Sequence, residues 1–290
     1  MRTFPLGSFH VGRVGFGAMQ LPGPGVFGPP RDHDQAVAVL RRAVELGINH
    51  IDTAQFYGPN VANQLIREAL HPYPADLALV SKVGARRDDT GAWLPAQHPD
   101  ELRASIEENL RTLDTDRLAA VNLRIHDDDP IATGPVDRDL FGRQLDAMIK
   151  ARDEGLIGGI GLSSITIEHL QIALDHTEIV CVQNAYNLVD RIAQPILDAC
   201  GEHGIAFVPF FPLGSAFVAD NPVLGHPAVK REAERQGRTP AQIALAWTLS
   251  VAPNVLLIPG TSSVAHLEEN TAVADIELDE DIKRQLDDAA

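Results

Sequence analysis

The sequence predicts an α/β fold: a single (β/α)8 TIM barrel over residues 1–290, with an N-terminal β-hairpin and an extra helix at the C-terminus. Eight short apolar segments alternate along the chain with eight helical patterns. Neither a Gly/Ser-rich linker nor a shift in composition divides the chain, and 290 residues is within the usual size of one such barrel. We therefore expect one domain.

The segments predicted as barrel strands are short, apolar and close to a polar residue at their carboxyl ends. They are residues 14–19, 49–52, 77–82, 118–125, 157–163, 179–183, 206–210 and 255–258. Ahead of them, residues 3–6 and 10–14 lie on either side of Gly7-Ser8 and predict the hairpin.

The segments predicted as helices repeat apolar residues at helical spacing. In the first helix Val37, Leu40 and Val44 form the apolar stripe. Asp34 is expected to cap this helix and Gly47 to end it. The helices are residues 34–46, 63–70, 99–113, 140–154, 167–174, 194–203, 240–249 and 264–274, with 279–288 as the extra terminal helix. Residues 84–98 are predicted as a long loop.

A doubly wound sheet is the competing topology, and it needs a glycine-rich phosphate loop after its first strand. Gly23, Gly25 and Gly28 have the spacing of such a loop. However, Pro24 removes an amide that would face the phosphate, and Pro29-Pro30 follow where a helix should begin. The segment is therefore predicted to be a rigid proline-rich loop.

Composition excludes several classes of function. The net charge of −16 argues against a nucleic-acid partner, because phosphate binding needs clustered Lys and Arg. Cys181 and Cys200 are too few for a disulfide framework, and the most apolar region, 204–219, is too short and too broken by prolines to span a membrane. We expect a cytoplasmic protein, monomeric or a weak homo-oligomer, that acts on a small molecule.

The strand ends carry the strongest functional signal. In a barrel of this type the carboxyl ends of the strands face one rim, where catalytic groups collect. An acid, an amine, an imidazole, a hydroxyl and an amide fall on strands two to six, and a phenol follows the acid by five residues. These residues are Asp52, Lys82, His126, Ser163 and Gln183, with Tyr57 as the phenol.

Together these groups can transfer a proton to a carbonyl. A phenol with a pKa of about 10 is a weak acid at neutral pH, and a nearby ammonium lowers that pKa. We expect Asp52 to hold Lys82 charged and aimed at Tyr57. Tyr57 would then protonate a carbonyl oxygen while a hydride reaches the carbon, and His126 would orient the carbonyl.

This pattern resembles the aldo-keto reductase family, over about residues 11 to 274. Asp52, Tyr57, Lys82 and His126 match the family's catalytic residues. The resemblance implies reduction of an aldehyde or ketone to an alcohol, with NADPH preferred to NADH. The alternative within the same fold is a regulatory subunit that binds the nicotinamide nucleotide without catalysis.

The resemblance also implies the cofactor contacts. At the nicotinamide end Ser164 departs from the asparagine usual in the family, and Phe210 replaces its stacking tyrosine. At the adenine end many relatives have Lys at position 260 and Arg at position 266, but hydroxyls at a helix N-terminus can still hold a phosphate. The implied contacts are Met19, Ser163, Ser164, Gln183, Phe210, Pro212, Leu213, Gly214, Gly260, Thr261, Ser262, Ser263, His266, Glu269 and Asn270.

Residues 15–21 and 25–31 are similar to a bacterial branch of the family that includes pyridoxal reductases, which implies reduction of pyridoxal to pyridoxine. Phe27 and Trp93 are expected to be apolar walls of the substrate pocket. Two interpretations of Arg86, Arg87 and Arg124 stay open: a solvated charge, which is the default, or a contact with an anionic group of the substrate. A metal-dependent hydrolase using His126 and the acids at 127–129 would need further ligands on strand ends, so we predict no metal.

Overall fold

A sheet of parallel strands forms the centre of the molecule, which the computed structural model describes over residues 3–125, 135–214 and 221–288. The described strands are β1 (Thr3–Leu6), β2 (Phe9–Gly12), β3 (Phe16–Gly17), β4 (His50–Asp52), β5 (Ala78–Val83), β6 (Ala85–Arg87), β7 (Trp93–Pro95), β8 (Ala120–Arg124), β9 (Ile160–Ser163), β10 (Cys181–Gln183) and β11 (Ala206–Phe207). In the central sheet they run in the order β11–β10–β9–β8–β5–β4–β3. Consecutive barrel strands are therefore neighbours.

Helices follow the central strands and cover the outside of the sheet. The described helices are α1 (His33–Glu45), α2 (Val61–Leu70), α3 (Pro99–Leu113), α4 (Arg138–Asp153), α5 (Ile167–His176), α6 (Gln194–Glu202), α7 (Pro222–Gly225), α8 (Pro227–Gln236), α9 (Pro240–Ser250), α10 (Val264–Thr271) and α11 (Glu280–Asp287). Short 3-10 turns occupy Ala18–Gln20, Pro24–Val26 and Ala272–Asp275.

The barrel is closed by residues 255–257, which lie between β11 and the first strand. Val255 forms a parallel bridge with Phe207, and Leu257 forms one with Val14. The amide of Gly15 donates to the carbonyl of Leu257 at 2.7 Å. The predicted (β/α)8 barrel is confirmed, with its eighth strand present as isolated bridges instead of a continuous ladder.

The predicted N-terminal hairpin is confirmed, and it plugs one end of the barrel. β1 and β2 pair antiparallel, with Thr3 opposite Gly12. Leu6 and Val11 are fully buried against Ala78 and Cys181, which begin strands β5 and β10. Because the hairpin closes the amino ends of the strands, the opposite rim is the open mouth.

Three local predictions are wrong. Residues 84–98 are not a plain loop, since β6 and β7 pair as an antiparallel hairpin with Arg86 opposite Leu94. The N-cap of α1 is Asp32, whose side chain accepts from the amide of Gln35 at 2.9 Å, while Asp34 lies in the first turn. No helix was predicted between residues 203 and 240, but α8 lies there, and its sequence is mostly polar.

Both cysteines, Cys181 and Cys200, are buried free thiols, as their number predicted. Within the described ranges, none of the helices combines the length and the apolar character that a membrane crossing requires.

Candidate active site

A cavity of about 300 Å³ opens at the mouth of the barrel. Aromatic and aliphatic side chains form most of its wall, and two cationic side chains reach into it. It is lined by Met19, Gly25, Val26, Phe56, Tyr57, Lys82, Trp93, Arg124, Ser163, Ser164, Phe210 and Phe211. The predicted amine and phenol, Lys82 and Tyr57, therefore line a site large enough for a small aromatic ligand.

The carboxylate of Asp52, at the end of β4, is held on both oxygens. The Lys82 ammonium donates to Asp52 Oδ1, and also to the carbonyl of Thr53 at 3.2 Å. Across the barrel interior, Gln183 Nε2 donates to Asp52 Oδ2 at 2.7 Å. All three side chains are buried, so this ion pair is a fixed part of the barrel mouth.

Tyr57 lies on the loop that leaves β4, over the amine of Lys82. The Lys82 Nζ is 5.1 Å from the centre of the Tyr57 ring, and the ring packs edge-on against Phe56 at 5.3 Å. Three residues predicted from separate segments of the sequence, Asp52, Tyr57 and Lys82, are therefore brought together.

Burial and charge act in opposite directions on the pKa of Tyr57. Burial raises the pKa of the phenol, and the positive charge of Lys82 lowers it by less, so the net shift is upward. The lowering expected from the ammonium is therefore present, but burial outweighs it. For Lys82, burial lowers the pKa, but the Asp52 carboxylate and Tyr57 raise it further, so the amine stays charged.

A buried network of amides and hydroxyls holds the loop between Asp52 and Tyr57, and the sequence interpretation missed it. Thr53 Oγ1 donates to Asn63 Oδ1 at 2.8 Å. Asn109 Nδ2 donates to Gln55 Oε1 at 2.9 Å. The Ser81 hydroxyl and the Asn63 amide both donate to Asn109 Oδ1, at 2.7 and 2.9 Å. The loop is thus tied to α2, α3 and β5.

His126 lies outside the described residues, and so do the acids at 127–129. Its role in orienting the carbonyl therefore stays a prediction. Among the residues that the structure describes, no three His, Cys, Asp or Glu side chains are grouped so as to hold a metal ion.

Residues predicted for the nicotinamide end lie together at the mouth. Ser163 ends β9 opposite Gln183 of β10, and Phe210 lines the same cavity. Gln183 Oε1 is buried and, within the described structure, accepts no hydrogen bond. An acceptor in that state is suited to an amide N–H donor, which a nicotinamide carboxamide carries.

Ser164 has φ +56°, in the left-handed region. Asn tolerates this conformation better than Ser does, which gives a physical reason for the family's usual Asn there. Two other residues of the cavity wall, Val26 and Phe211, also have positive φ, at +59° and +55°. Backbone strain is thus concentrated around the site, as it often is where a ligand is bound.

The loop after β11 carries Pro212, Leu213 and Gly214 past the mouth. The carbonyl of Leu213 accepts from Asn221 Nδ2 at 2.6 Å, and Gly214, at φ +79°, donates from its amide to the carbonyl of Phe211 at 2.9 Å. The predicted contacts in this loop are therefore ordered beside Phe210.

The residues predicted for the adenine end surround the N-terminus of α10. Thr261 Oγ1 accepts from the amide of Ser263 at 3.0 Å, and Ser263 Oγ caps the helix by accepting from the amide of His266 at 3.4 Å. Gly260, Ser262 and His266 are exposed. Glu269 and Asn270 lie half-buried further along the helix.

A second cavity, of about 360 Å³, adjoins the first. The two share Met19, Gly25 and Val26 in their walls, and the second extends to Arg31 and Ser262. Adjacent space therefore runs from the catalytic mouth toward the N-terminus of α10.

One of the two predicted substrate walls is in place. Trp93 lines the cavity, edge-on to Phe56 at 5.4 Å. The ring of Phe27 is not among the lining residues: it lies 5.4 Å from the guanidinium of Arg87, and Val26 lines the cavity in its place. Phe56, Phe211 and Arg124 also line it. The sequence around these residues did not by itself assign them to the cavity.

Comparison with known proteins gives a consistent result. The model described as the Aldo/keto reductase family matches residues 13–290. The chain is 49% identical over 285 residues to pyridoxine 4-dehydrogenase of Escherichia coli (strain K12), covering 98% of this chain and 97% of that protein. It is 39% identical over 286 residues to an uncharacterized oxidoreductase of Schizosaccharomyces pombe, covering 99% and 89%.

A solved structure matches over the same length. It is the crystal structure of an aldo/keto reductase from Klebsiella pneumoniae in complex with NADP and acetate. The TM-score is 0.81 with 28% identity, over 99% of this chain and 94% of that one.

Proposed function

This chain belongs to the aldo/keto reductase family, and from that premise we propose that it is an NADP-dependent enzyme that interconverts pyridoxal and pyridoxine, with Tyr57 as the proton donor. The observation that carries the proposal is that Lys82 and Tyr57 line one cavity at the barrel mouth, with Asp52 bonded to Lys82 behind them.

Lys82 is placed to help Tyr57 act in the direction of reduction. The phenol is protonated at neutral pH and so has a proton to donate to a carbonyl oxygen, although burial, which raises its pKa, makes it a weaker acid. After donation the Lys82 ammonium stabilises the phenolate, and Asp52 keeps that ammonium charged and in place. In the oxidative direction the same phenolate would accept the proton of the alcohol.

Residues along the two cavities are suited to hold NADPH, which supplies the hydride when bound. The orphaned acceptor Gln183 Oε1 and the Ser163 hydroxyl would hold the carboxamide, and Phe210 would stack on the ring. Thr261 and Ser262, at the N-terminus of α10, would hold the 2′-phosphate. The Klebsiella pneumoniae relative in complex with NADP supports this assignment.

The proposed substrate rests on a relative and on the shape of the cavity. The Escherichia coli relative, 49% identical over almost the whole chain, is a pyridoxine 4-dehydrogenase. The aromatic wall of Phe56 and Trp93 in the same cavity suits a planar ring. We also propose that residues 1–290 act as one domain, because residue Leu257 pairs with Val14 to close a single barrel.

The function is tested by following NADPH consumption with pyridoxal, simple aromatic aldehydes and α-dicarbonyls. We expect turnover of pyridoxal above that of the other aldehydes. Tight NADPH binding without turnover of any of them would contradict the proposal and favour the regulatory alternative, in which the fold binds the nucleotide without catalysis.

Tyr57→Phe tests the proton donor. We expect kcat to fall by about 10²- to 10⁴-fold, the range that a positioned general acid contributes, while NADPH affinity stays nearly unchanged. Steady-state kinetics and a fluorescence titration with NADPH measure the two quantities. Tyr73→Phe is the matched control, because that hydroxyl donates to the carbonyl of Leu113 away from the mouth. Similar turnover in wild type and Tyr57→Phe would reject the assignment.

A further inference from the structure

Arg124 is a second cation in the wall of the mouth cavity. It ends strand β8, where it lies opposite Ser163 of β9, and its side chain lines the cavity with Tyr57 and Trp93. The centre of its guanidinium lies 5.9 Å from the Trp93 ring. Of the two interpretations that the sequence left open, this position in the cavity wall favours a contact with the substrate.

The charge of Arg124 acts where the chemistry takes place. Burial lowers the pKa of Arg124, but a guanidinium keeps its charge under physiological conditions. That charge in turn helps to lower the pKa of the Tyr57 phenol. The guanidinium is thus close enough to influence the hydroxyl that would meet the carbonyl oxygen.

The described wall of the cavity includes two cations, Lys82 and Arg124, and neither Asp nor Glu, although the chain as a whole carries −16. A planar guanidinium beside an aromatic wall is suited to bind an anionic oxygen carried on an aromatic ring.

Arg87, the other arginine near the cavity wall, has a structural role. Arg87 donates to the carbonyls of Gly91, Val26 and Gly25, at 2.9, 3.1 and 3.1 Å, and so ties two loops together. It does not line the mouth cavity. Arg86, its neighbour in β6, is exposed. Among these arginines Arg124 is therefore the candidate for a substrate contact.

We propose that Arg124 is a specificity-determining residue that binds an ionised oxygen next to the carbonyl of the substrate. The substrate class is then an aromatic aldehyde with an acidic hydroxyl on the adjacent ring carbon, an arrangement that pyridoxal contains. This inference rests on the proposed carbonyl reduction and narrows its substrate. The guanidinium would orient the ring so that the carbonyl oxygen faces Tyr57.

The test compares two aldehydes that differ by one hydroxyl, 3-hydroxypyridine-4-carbaldehyde and pyridine-4-carbaldehyde, with NADPH as reductant. For the wild type we expect a higher kcat/KM with the hydroxylated aldehyde. In Arg124→Met the ratio of the two kcat/KM values should fall by about 10- to 100-fold, which corresponds to one lost charge-assisted hydrogen bond. Arg124→Lys, which keeps the charge but loses the planar fork, should retain part of the ratio.

Arg86→Met is the matched control, because it removes an exposed arginine outside the cavity, and it should keep the wild-type ratio. NADPH titrations of each variant separate loss of fold from loss of selectivity. If Arg124→Met lowers kcat/KM equally for both aldehydes, the residue acts on Tyr57 or on the fold, and the proposal is overturned.

Two further outcomes are distinguishable. A wild-type enzyme that reduces both aldehydes equally well overturns the role of Arg124 but leaves carbonyl reduction intact. A wild-type enzyme that binds NADPH and reduces neither aldehyde, nor any other carbonyl tested, overturns the proposed function and this inference with it.

Discussion

The two ends of the proposed cofactor path are built in opposite ways. At the barrel mouth Asp52, Lys82 and Gln183 are buried, and their side chains bond one another. At the N-terminus of α10, Gly260 and Ser262 are exposed, and the loop is held by hydrogen bonds to backbone amides. The proposed catalytic groups are thus built into the buried structure of the barrel, whereas the proposed contacts at the adenine end include exposed residues.

The sharpest test of this difference is Lys82→Met. Removing one partner of a buried ion pair leaves Asp52 as an uncompensated buried charge, so we expect a loss of about 3–5 kcal/mol in the free energy of unfolding. Denaturant unfolding measures it. The double variant Lys82→Met/Asp52→Asn should recover part of the loss, because it also removes the unpaired charge.

The control is Arg42→Met, which breaks the exposed pair between Arg42 and Glu268. Exposed pairs contribute little, so this variant should unfold almost as the wild type does. Equal losses from the buried and the exposed substitution would contradict the contrast between the two regions.

The second test concerns His50, which lies beneath the ion pair in β4. Burial lowers its pKa to about 4, and neither ring nitrogen has a hydrogen-bond partner within the described structure. Between pH 6.5 and 4 the unfolded chain takes up a proton that the folded chain does not, so stability falls as the pH drops through this window. The resulting loss in the free energy of unfolding is roughly 3 kcal/mol.

We therefore expect His50→Phe to lose less stability than the wild type on acidification from pH 7 to pH 4, measured by urea unfolding at each pH. His10→Phe is the control, because His10 is exposed in β2. A pH dependence that is unchanged in His50→Phe would argue that His50 is already protonated in the folded protein.

The third test is at the exposed end. Thr261→Ala combined with Ser262→Ala should weaken NADPH binding by about tenfold and NADH binding less, because the lost hydroxyls would contact the 2′-phosphate. Dissociation constants for both nucleotides measure this effect. Thr271→Ala, at the opposite end of α10, removes a hydroxyl that donates to the carbonyl of Leu267 and is the control. Equal losses for the two nucleotides would reject the role.

The smallest effect is expected at Ser164, between the two regions. Since Asn tolerates positive φ better than Ser, Ser164→Asn should stabilise the fold by about 0.5 kcal/mol, and Ser164→Ala should not. Thermal unfolding of both variants checks this. If both change the stability alike, backbone conformation does not decide the preference at this position.

The proximity of Asp52 and Lys82 could be predicted from the sequence because it follows from one rule. Asp52 and Lys82 end adjacent parallel strands, so a barrel brings them to one rim whatever the loops do. The partnership of Gln183 with Asp52 was not accessible, because it crosses the barrel interior between strands that are not neighbours. Strand order predicts contacts along the sheet but does not specify which side chains meet across the lumen.

The remaining misses arose in irregular segments. The 3-10 turn at Pro24–Val26 and the positive φ of Val26 turn Val26, instead of Phe27, toward the cavity. The hairpin of β6 and β7 has strands of three residues with no alternation of polar and apolar side chains, so it lacks a strand signal. Arg124 was ambiguous because only the fold shows whether a charge at a strand end meets solvent or a cavity.

Arg87 has a consequence for how this enzyme can change. Its guanidinium donates hydrogen bonds both to the proline-rich loop, at Gly25 and Val26, and to the turn between β6 and β7, at Gly91. These two segments beside the cavity are therefore held together. Replacing only one of these two segments with that of a relative would break the hydrogen bonds of Arg87 and change the width of the cavity entrance. We therefore expect substrate selectivity to depend on the two segments as a pair, so that engineered variants should exchange the proline-rich loop and the β6–β7 hairpin together.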